Sequence, residues 1–183
     1  MTPFSHSTSR MKTIYFILSI MLASTSLKAQ TIKDPVQDFL SRMSRTSDDQ
    51  LLKLVAPINR TGGNEIFLTY SHNTNAKAGH IWVVYSPAPG GYQRLEDPIS
   101  FRTDIVYIGK SKELGGLGLL TYIPGGSGGG SIVGYVFQGT DVNEVDIPVM
   151  DQDQNDQALY DHYFKGAKHP NIEITPADEL PPR

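Results

Sequence analysis

Two histidines at the ends of one polar loop are the side chains in this sequence best spaced for chemistry. His72 and His80 bound the loop 72–79, which lies between two segments rich in β-branched and aromatic residues. Neighbours across an antiparallel hairpin have Cβ atoms about 4.5–5.5 Å apart, so two such histidines can share a metal ion. Zinc needs a third protein ligand, and the acids nearest in sequence are Asp97 and Asp104. We expect no metal, but a hydrolase or metal-dependent enzyme that uses these residues is one interpretation.

The loop between the histidines is interpreted as a binding segment. Ser71 directly precedes His72, but the groups of a Ser–His–Asp triad meet in space and need not be adjacent in sequence. Asn73, Asn75 and Lys77 fill the loop with polar side chains of both donor and acceptor character. Loops held on a rigid sheet are where recognition residues concentrate.

A run of small residues from Gly125 to Gly130 invites comparison with phosphate-binding loops. Such loops need a lysine and a following helix, whose N-terminus binds the anion, and a dinucleotide fingerprint needs the helix as well. Here the run contains no lysine, and a strand pattern follows it. Because glycine lets backbone donors approach a partner closely, we assign Gly126, Ser127 and Gly128 to a binding loop without a cofactor.

Two other motifs are incomplete or common by chance. The stretch 151–155 imitates the start of a calcium loop, but the glycine and the bidentate glutamate that complete such a loop are missing. Asn59-Arg60-Thr61 matches the glycosylation sequon, a three-residue pattern with many accidental matches. We therefore expect no calcium and no other cofactor.

The N-terminal 29 residues have the three-part pattern of a secretory signal peptide. Lys12 precedes an apolar run, and a tail of small and polar residues ends at Ala29. The apolar run is about half as long as the ~20 residues that a membrane span needs, so removal is expected and no span is left. Cleavage after Ser26 is an alternative, and Met11 is an alternative start. We expect a secreted or periplasmic protein with a single domain over residues 30–183.

The composition limits the partners. The chain has a formal net charge of −3 and no cysteine. Removal of residues 1–29 takes away Arg10, Lys12 and Lys28 and no acid, which makes the exported part more acidic. An acidic domain argues against nucleic acid, whose backbone needs a basic surface, and against a polybasic membrane contact. Without cysteine, disulfides and thiolate chemistry are impossible.

Helical patterns lie towards both ends of the exported part. Asp34 can cap a helix that begins with proline, and the apolar spacing predicts a helix over 35–44. A capping box followed by a leucine-rich run predicts a second helix over 48–56. A C-terminal helix is predicted over 156–165, with a last helical turn at 175–179.

The centre of the chain has the residue pattern typical of β-strands, with β-branched and aromatic segments separated by turn-forming residues. The predicted strands are 65–71, 80–86, 91–95, 99–108, 117–123, 131–138 and 142–147. Short connections without helices predict an antiparallel meander of about six or seven strands, with a partly closed barrel as the alternative. The fold class is therefore α+β, with a pair of short N-terminal helices and a C-terminal helix. One core is expected to hold seven large side chains: Phe39, Leu51, Leu68, Trp82, Phe101, Tyr107 and Tyr135.

Successive loops of a meander alternate between the two ends of its sheet, which predicts where a partner binds. The loops 72–79, 96–98 and 124–130 then lie at one end, unless 91–95 and 99–108 form a single strand. The candidate binding residues at this rim are His72, Asn73, Asn75, Lys77, His80, Asp97, Gly126, Ser127 and Gly128. We expect an exported, non-enzymatic domain that binds an unknown protein, glycan or small molecule through its hairpin loops. A structural protein of the cell envelope is a further alternative, beside the enzyme.

Overall fold

The computed structural model describes residues 31–124, 130–149 and 164–182. These residues form one α-helix, α1 (Pro35–Arg42), two antiparallel sheets, and a 3-10 turn at Ala177–Glu179. The strands are β1 Leu51–Ala56, β2 Glu65–Tyr70, β3 Thr74–Asn75, β4 Gly79–Ala88, β5 Gly91–Arg94, β6 Ile99–Phe101, β7 Val106–Ser111, β8 Gly116–Pro124, β9 Gly130–Gln138, β10 Asp141–Val149 and β11 Ile172–Thr175. Within the described ranges, no helix has the length and apolar character needed to span a bilayer.

The strands divide into two open sheets. In the first sheet the order is β11-β1-β2-β4-β3, and β5 and β6 also pair with β4. The second sheet is a meander with the order β10-β9-β8-β7. The predicted antiparallel pairing is confirmed, whereas the barrel alternative is wrong because neither sheet closes on itself.

Local capping explains why α1 forms where the sequence predicts it. The Asp34 carboxylate accepts hydrogen bonds from the backbone N–H groups of Val36 and Gln37, and Pro35 occupies the first turn. These contacts satisfy donors that a helix N-terminus leaves free. Phe39 is fully buried under the helix, and the backbone becomes extended at Met43, where α1 ends.

The second predicted helix, over 48–56, is wrong, because most of this segment is the strand β1. β1 lies between β2 and β11. Leu52, Leu54 and Ala56 are buried on one face, and Leu51 is buried on the other, where Val55 is exposed. The apolar residues at 51, 52, 54 and 55 lack the strict alternation of a half-exposed strand and have the spacing of a helical stripe. Pairing with β2 and with the distant β11 decides the structure of this segment.

A C-terminal helix over 156–165 is not found among the described residues. Residues 150–163 lie outside them, Phe164 has a π-helical conformation and is followed by a turn, and the described chain then forms β11 and the short 3-10 turn. The helical turn predicted at 175–179 is confirmed by that 3-10 turn.

The long strand predicted over 99–108 is interrupted, because the chain changes sheets there. β6 pairs with β4 of the first sheet, and β7 pairs with β8 of the second. The crossing is held by the Thr121 hydroxyl, which donates to the Ile105 carbonyl oxygen at 2.7 Å. The break shifts the alternation of buried and more exposed side chains by one residue. Val106 is therefore fully buried, whereas Tyr107 is only partly buried.

Three apolar clusters replace the single predicted core. The interior core lies between the sheets and includes Trp82, Phe101 and Tyr135. The helix-side core packs α1 and Leu180 on the other face of the first sheet, and it includes Phe39, Leu51 and Leu68. The outer core includes Leu120, Ile132 and Phe164, and Tyr107 packs against it. Strand β4 serves two of the clusters, since Trp82 and Val84 face the interior while Val83 and Tyr85 face α1.

A buried polar network joins the two sheets. Glu65, at the start of β2, is fully buried. Its Oε1 accepts a hydrogen bond from Asn59 Nδ2 at 2.5 Å, and its Oε2 accepts one from Ser86 Oγ at 2.6 Å. Asn59 Nδ2 also donates to the Gly139 carbonyl oxygen, and Asn59 Oδ1 accepts from the Gly139 N–H. Both Nδ2 hydrogens of Asn59 are therefore engaged, so the sequon asparagine serves the fold and is closed to a glycan in the folded chain.

Glu65 should make the stability of the fold depend on pH. Burial raises the pKa of Glu65 to about 7, although hydrogen bonds from Ser86 and Asn59 oppose this. Since the folded chain then holds a proton that the unfolded chain has lost, the carboxyl group favours folding at low pH. This contribution is complete below the ordinary pKa of 4.5 and is lost as the pH rises through about 7.

The prediction is that Glu65→Gln flattens this dependence, because the amide cannot titrate but can still bond Asn59 and Ser86. Between pH 4.5 and 8, the unfolding free energy of the parent chain should fall by about 3 kcal/mol relative to the variant, at about 1.4 kcal/mol per pKa unit. Urea unfolding across this range measures the difference. Glu173→Gln, which changes an exposed carboxylate, is the matched control, and its unfolding free energy should depend on pH as that of the parent chain does. Parallel curves for the parent chain and Glu65→Gln would contradict the assignment.

Candidate functional site

The 71–80 hairpin is the candidate site, and its backbone is fixed by β4. Thr74 pairs with His80, and Asn75 pairs with Gly79. The Asn75 side-chain oxygen accepts hydrogen bonds from the backbone of Lys77 and Ala78. This Asx-type bonding shapes the loop tip from within, so that Asn75 is committed to the turn while Lys77 is exposed.

The register of β1 on β2 brings His72 against Asp49. Leu51 pairs with Tyr70, and beyond this pair the Ser71 N–H donates to the Gln50 carbonyl oxygen at 3.0 Å. Asp49 and His72 are the next residues outwards, and Asp49 Oδ1 lies 2.6 Å from His72 Nδ1. His80 instead faces Thr74 across the hairpin, so the two histidines lie in different surroundings.

Asp49 is an anchor that the sequence interpretation did not assign to the site. Only 4% of its surface is exposed, and its Oδ2 accepts hydrogen bonds from the backbone N–H and the hydroxyl of Thr46 at 2.6 and 3.0 Å. Burial alone would raise the pKa of Asp49, but the hydrogen bonds from Thr46 and His72 outweigh it and hold the pKa below its ordinary value. The carboxylate therefore stays ionised and fixes the His72 ring.

Ser71, Asp49 and His72 do not form a catalytic triad. Ser71 Oγ lies 3.5 Å from His72 Nδ1, the same ring nitrogen that Asp49 binds. In a triad the acid and the serine occupy opposite nitrogens of the imidazole. The Ser71 hydroxyl instead accepts a hydrogen bond from the Gln50 N–H at 3.1 Å.

A cavity of about 450 Å³ opens beside His72 and belongs to a longer depression that we call the helix groove. A neighbouring hollow of about 490 Å³ runs along the end of α1 to the C-terminal segment, and one of about 190 Å³ lies over β4 and β5. All three share Met43. The residues of the groove are Gln37, Leu40, Ser41, Arg42, Met43, Ser44, Arg45, Asp49, Tyr70, His72, Asn73, Ile81, Val83, Arg94, Leu95, Glu96, Pro98, Pro181 and Pro182.

His80 lines a separate cavity of about 280 Å³, together with Lys77, Arg102 and Asp104. Burial lowers the pKa of His80, although a hydrogen bond to the backbone of Ser71 and the charge of Asp104 oppose this. Its Nδ1 is buried without a hydrogen-bond partner among the described residues. Arg102 binds Asp104 through two hydrogen bonds, of 3.0 and 2.6 Å.

The predicted binding residues thus lie in several places. His72 and Asn73 line the helix groove, whereas Lys77 and His80 line the second cavity. Asp97 is exposed between Glu96 and Pro98, at the end of the groove. Gly126, Ser127 and Gly128 lie outside the described residues. Within the described ranges, no group of three His, Cys, Asp or Glu side chains is placed to hold a metal ion.

Comparison with known proteins adds no further constraint. No family model, curated protein or solved structure matches this chain.

The Asp49 anchor should matter far more to stability than its neighbour in sequence. Asp49→Ala leaves donors of Thr46 and His72 unpaired, so it should cost about 1–3 kcal/mol of unfolding free energy. The control Asp48→Ala removes an exposed carboxylate and should change stability by less than about 0.5 kcal/mol. Because the pKa of Asp49 lies below its ordinary value of 3.8, its contribution should shrink as the pH falls below that value. Equal costs for the two variants in urea unfolding at neutral pH would contradict the geometry.

Proposed function

We propose that this chain is an exported, non-enzymatic domain that binds a partner through the 71–80 hairpin and the surfaces beside it. The partner is a protein, a glycan or a small molecule. The observation that carries the proposal is that exposed polar groups of the hairpin are held by contacts from distant parts of the chain. His72, with 65% of its side chain exposed, is fixed by the buried Asp49.

Pre-organised side chains favour recognition because little conformational freedom is lost on binding. Asn73 forms two hydrogen bonds with Ile81. The backbone carbonyl oxygen of Asn73 accepts one from the Ile81 N–H, and the side-chain Nδ2 of Asn73 donates one to the Ile81 carbonyl oxygen. Thr69 donates to that same carbonyl oxygen at 2.7 Å. The base of the hairpin is therefore bonded to β2 and β4, and residues of the hairpin line two cavities.

The Asp49–His72 pair favours a second candidate, a hydrolase in which His72 acts as general base on water. A carboxylate that holds Nδ1 leaves Nε2 on the opposite side of the ring, which is how general bases are commonly oriented. Ser71 lies on the ring nitrogen that Asp49 already occupies and is not placed as a nucleophile, whereas the fixed polar groups of the hairpin suit recognition, so binding is the better-supported function. A structural role in the cell envelope is a third candidate.

Site-specific photocrosslinking in the cells that export the chain tests the binding proposal. A photoreactive residue at Ala76 or Lys77, which are exposed at the loop tip, should give an adduct of discrete mass in the secreted or periplasmic fraction. The same residue at Lys110 or Lys168, which are exposed on other parts of the fold, is the matched control and should give none. Adducts from the control positions alone would contradict the proposal and favour a structural role.

The hydrolase candidate is tested on the purified chain with p-nitrophenyl acetate and p-nitrophenyl phosphate. The binding proposal predicts no turnover above that of His72→Asn. Turnover that this substitution abolishes and that His80→Asn leaves intact would overturn the proposal in favour of catalysis.

A further inference from the structure

The helix groove has a charge character opposite to that of the whole chain. The full sequence carries a net charge of −3, but the groove contains three arginines, Arg42, Arg45 and Arg94. Its acids are Asp49, which is buried beneath His72, and the exposed Glu96. The lining therefore has an excess of positive charge, and a concave surface with an excess of one sign of charge concentrates ligands of the other sign.

We propose that the helix groove binds a ligand bearing carboxylate or phosphate groups, with its principal anion site between Arg42, His72 and Asn73. This inference rests on the proposed binding function and names the chemical class of the ligand. The three residues come from different elements, the end of α1 and the start of the hairpin, and they line the same cavity of about 450 Å³. That volume suits a small organic anion or one segment of a longer ligand.

Arg42 is oriented for such a ligand by its own helix. Its Nε donates to Asp38 Oδ1 at 2.7 Å, while 48% of its side chain is exposed. The other oxygen of Asp38 accepts a hydrogen bond from the Tyr85 hydroxyl at 3.0 Å. Because both Asp38 oxygens are occupied, the carboxylate acts as a brace for the guanidinium, whose terminal nitrogens suit bidentate binding of carboxylate or phosphate.

His72 lines the cavity beside Arg42. Asp49 occupies Nδ1, so Nε2, the nitrogen on the far side of the ring, is the one left to contact a ligand. Asp49 itself does not line the cavity as an exposed carboxylate, because only 4% of its surface is accessible. Asn73, fixed by Ile81, adds an amide beside the imidazole.

The neighbouring hollows extend the positive surface in two directions. Arg45 lines the hollow along α1, where its guanidinium donates to the Pro181 carbonyl oxygen. Arg94 lines the hollow over β4 and β5, where Glu96 is its acidic neighbour. A ligand with several anionic groups can therefore contact more than the principal site.

Titration of the isotopically labelled chain by NMR tests the inference, with phosphate, citrate and a hexaglutamate peptide as probes and chloride at equal ionic strength as reference. The expected result is saturable shifts at Ser44, His72 and Asn73. Arg42→Gln should weaken binding at least about tenfold, as loss of a charge-assisted hydrogen bond does. Arg102→Gln is the matched control, since Arg102 is also paired with an acid, Asp104, but lies in the other cavity. His72→Gln provides a second test if Arg42→Gln disturbs α1.

The arms of this experiment separate the sources of the anion. Tighter binding of hexaglutamate than of citrate, with a loss in Arg94→Gln, indicates an acidic polypeptide. Saturation by phosphate or citrate without competition from the peptide indicates a small molecule. Shifts that do not saturate, or that are equal in Arg42→Gln and Arg102→Gln, overturn the inference. If hairpin crosslinks still form in that case, the anion assignment alone has failed and the binding function stands.

Discussion

The antiparallel ladder between β1 and β2 is the constraint on which the rest of the structure depends. It runs from the pair Leu51–Tyr70 at one end to the pair Ala56–Glu65 at the other. Beyond the first end, Asp49 meets His72. At the second end, Glu65 enters the polar network that joins the two sheets. One register therefore fixes both the candidate site and the attachment of the second sheet, since a slip of one residue would turn every side chain to the opposite face.

The two ends of this ladder use buried carboxylates in opposite ways. Glu65 is surrounded by neutral donors, so burial dominates and raises its pKa to about 7. Asp49 has more hydrogen bonds and a histidine beside it, so its pKa falls below the ordinary value. A carboxyl group that stays ionised suits a site that orients an imidazole, whereas one that holds its proton suits a junction inside the fold.

Local signals predicted the features that depend on neighbouring residues, and long-range contacts decided the others. The cap at Asp34 specifies α1, and the run of β-branched and aromatic residues specifies β4, because both patterns lie within one segment. The run in β1 has the apolar spacing of a helix, and only its pairing with β2 and β11 on its two edges makes it a strand. His72 could be proposed from its residue type and its loop, but Asp49 could not, because only the strand register places it 2.6 Å from the ring.

A double-mutant cycle on Asp49 and His72 tests whether the β1–β2 register brings these two side chains into contact. Unfolding free energies would be measured for the parent chain, Asp49→Asn, His72→Gln and the double variant. If the β1–β2 register places the two side chains in contact, the single costs should not add, and the coupling should be about 0.5–3 kcal/mol. Costs that add within about 0.3–0.5 kcal/mol would mean that the two residues do not meet, and the ladder that defines the site would be wrong.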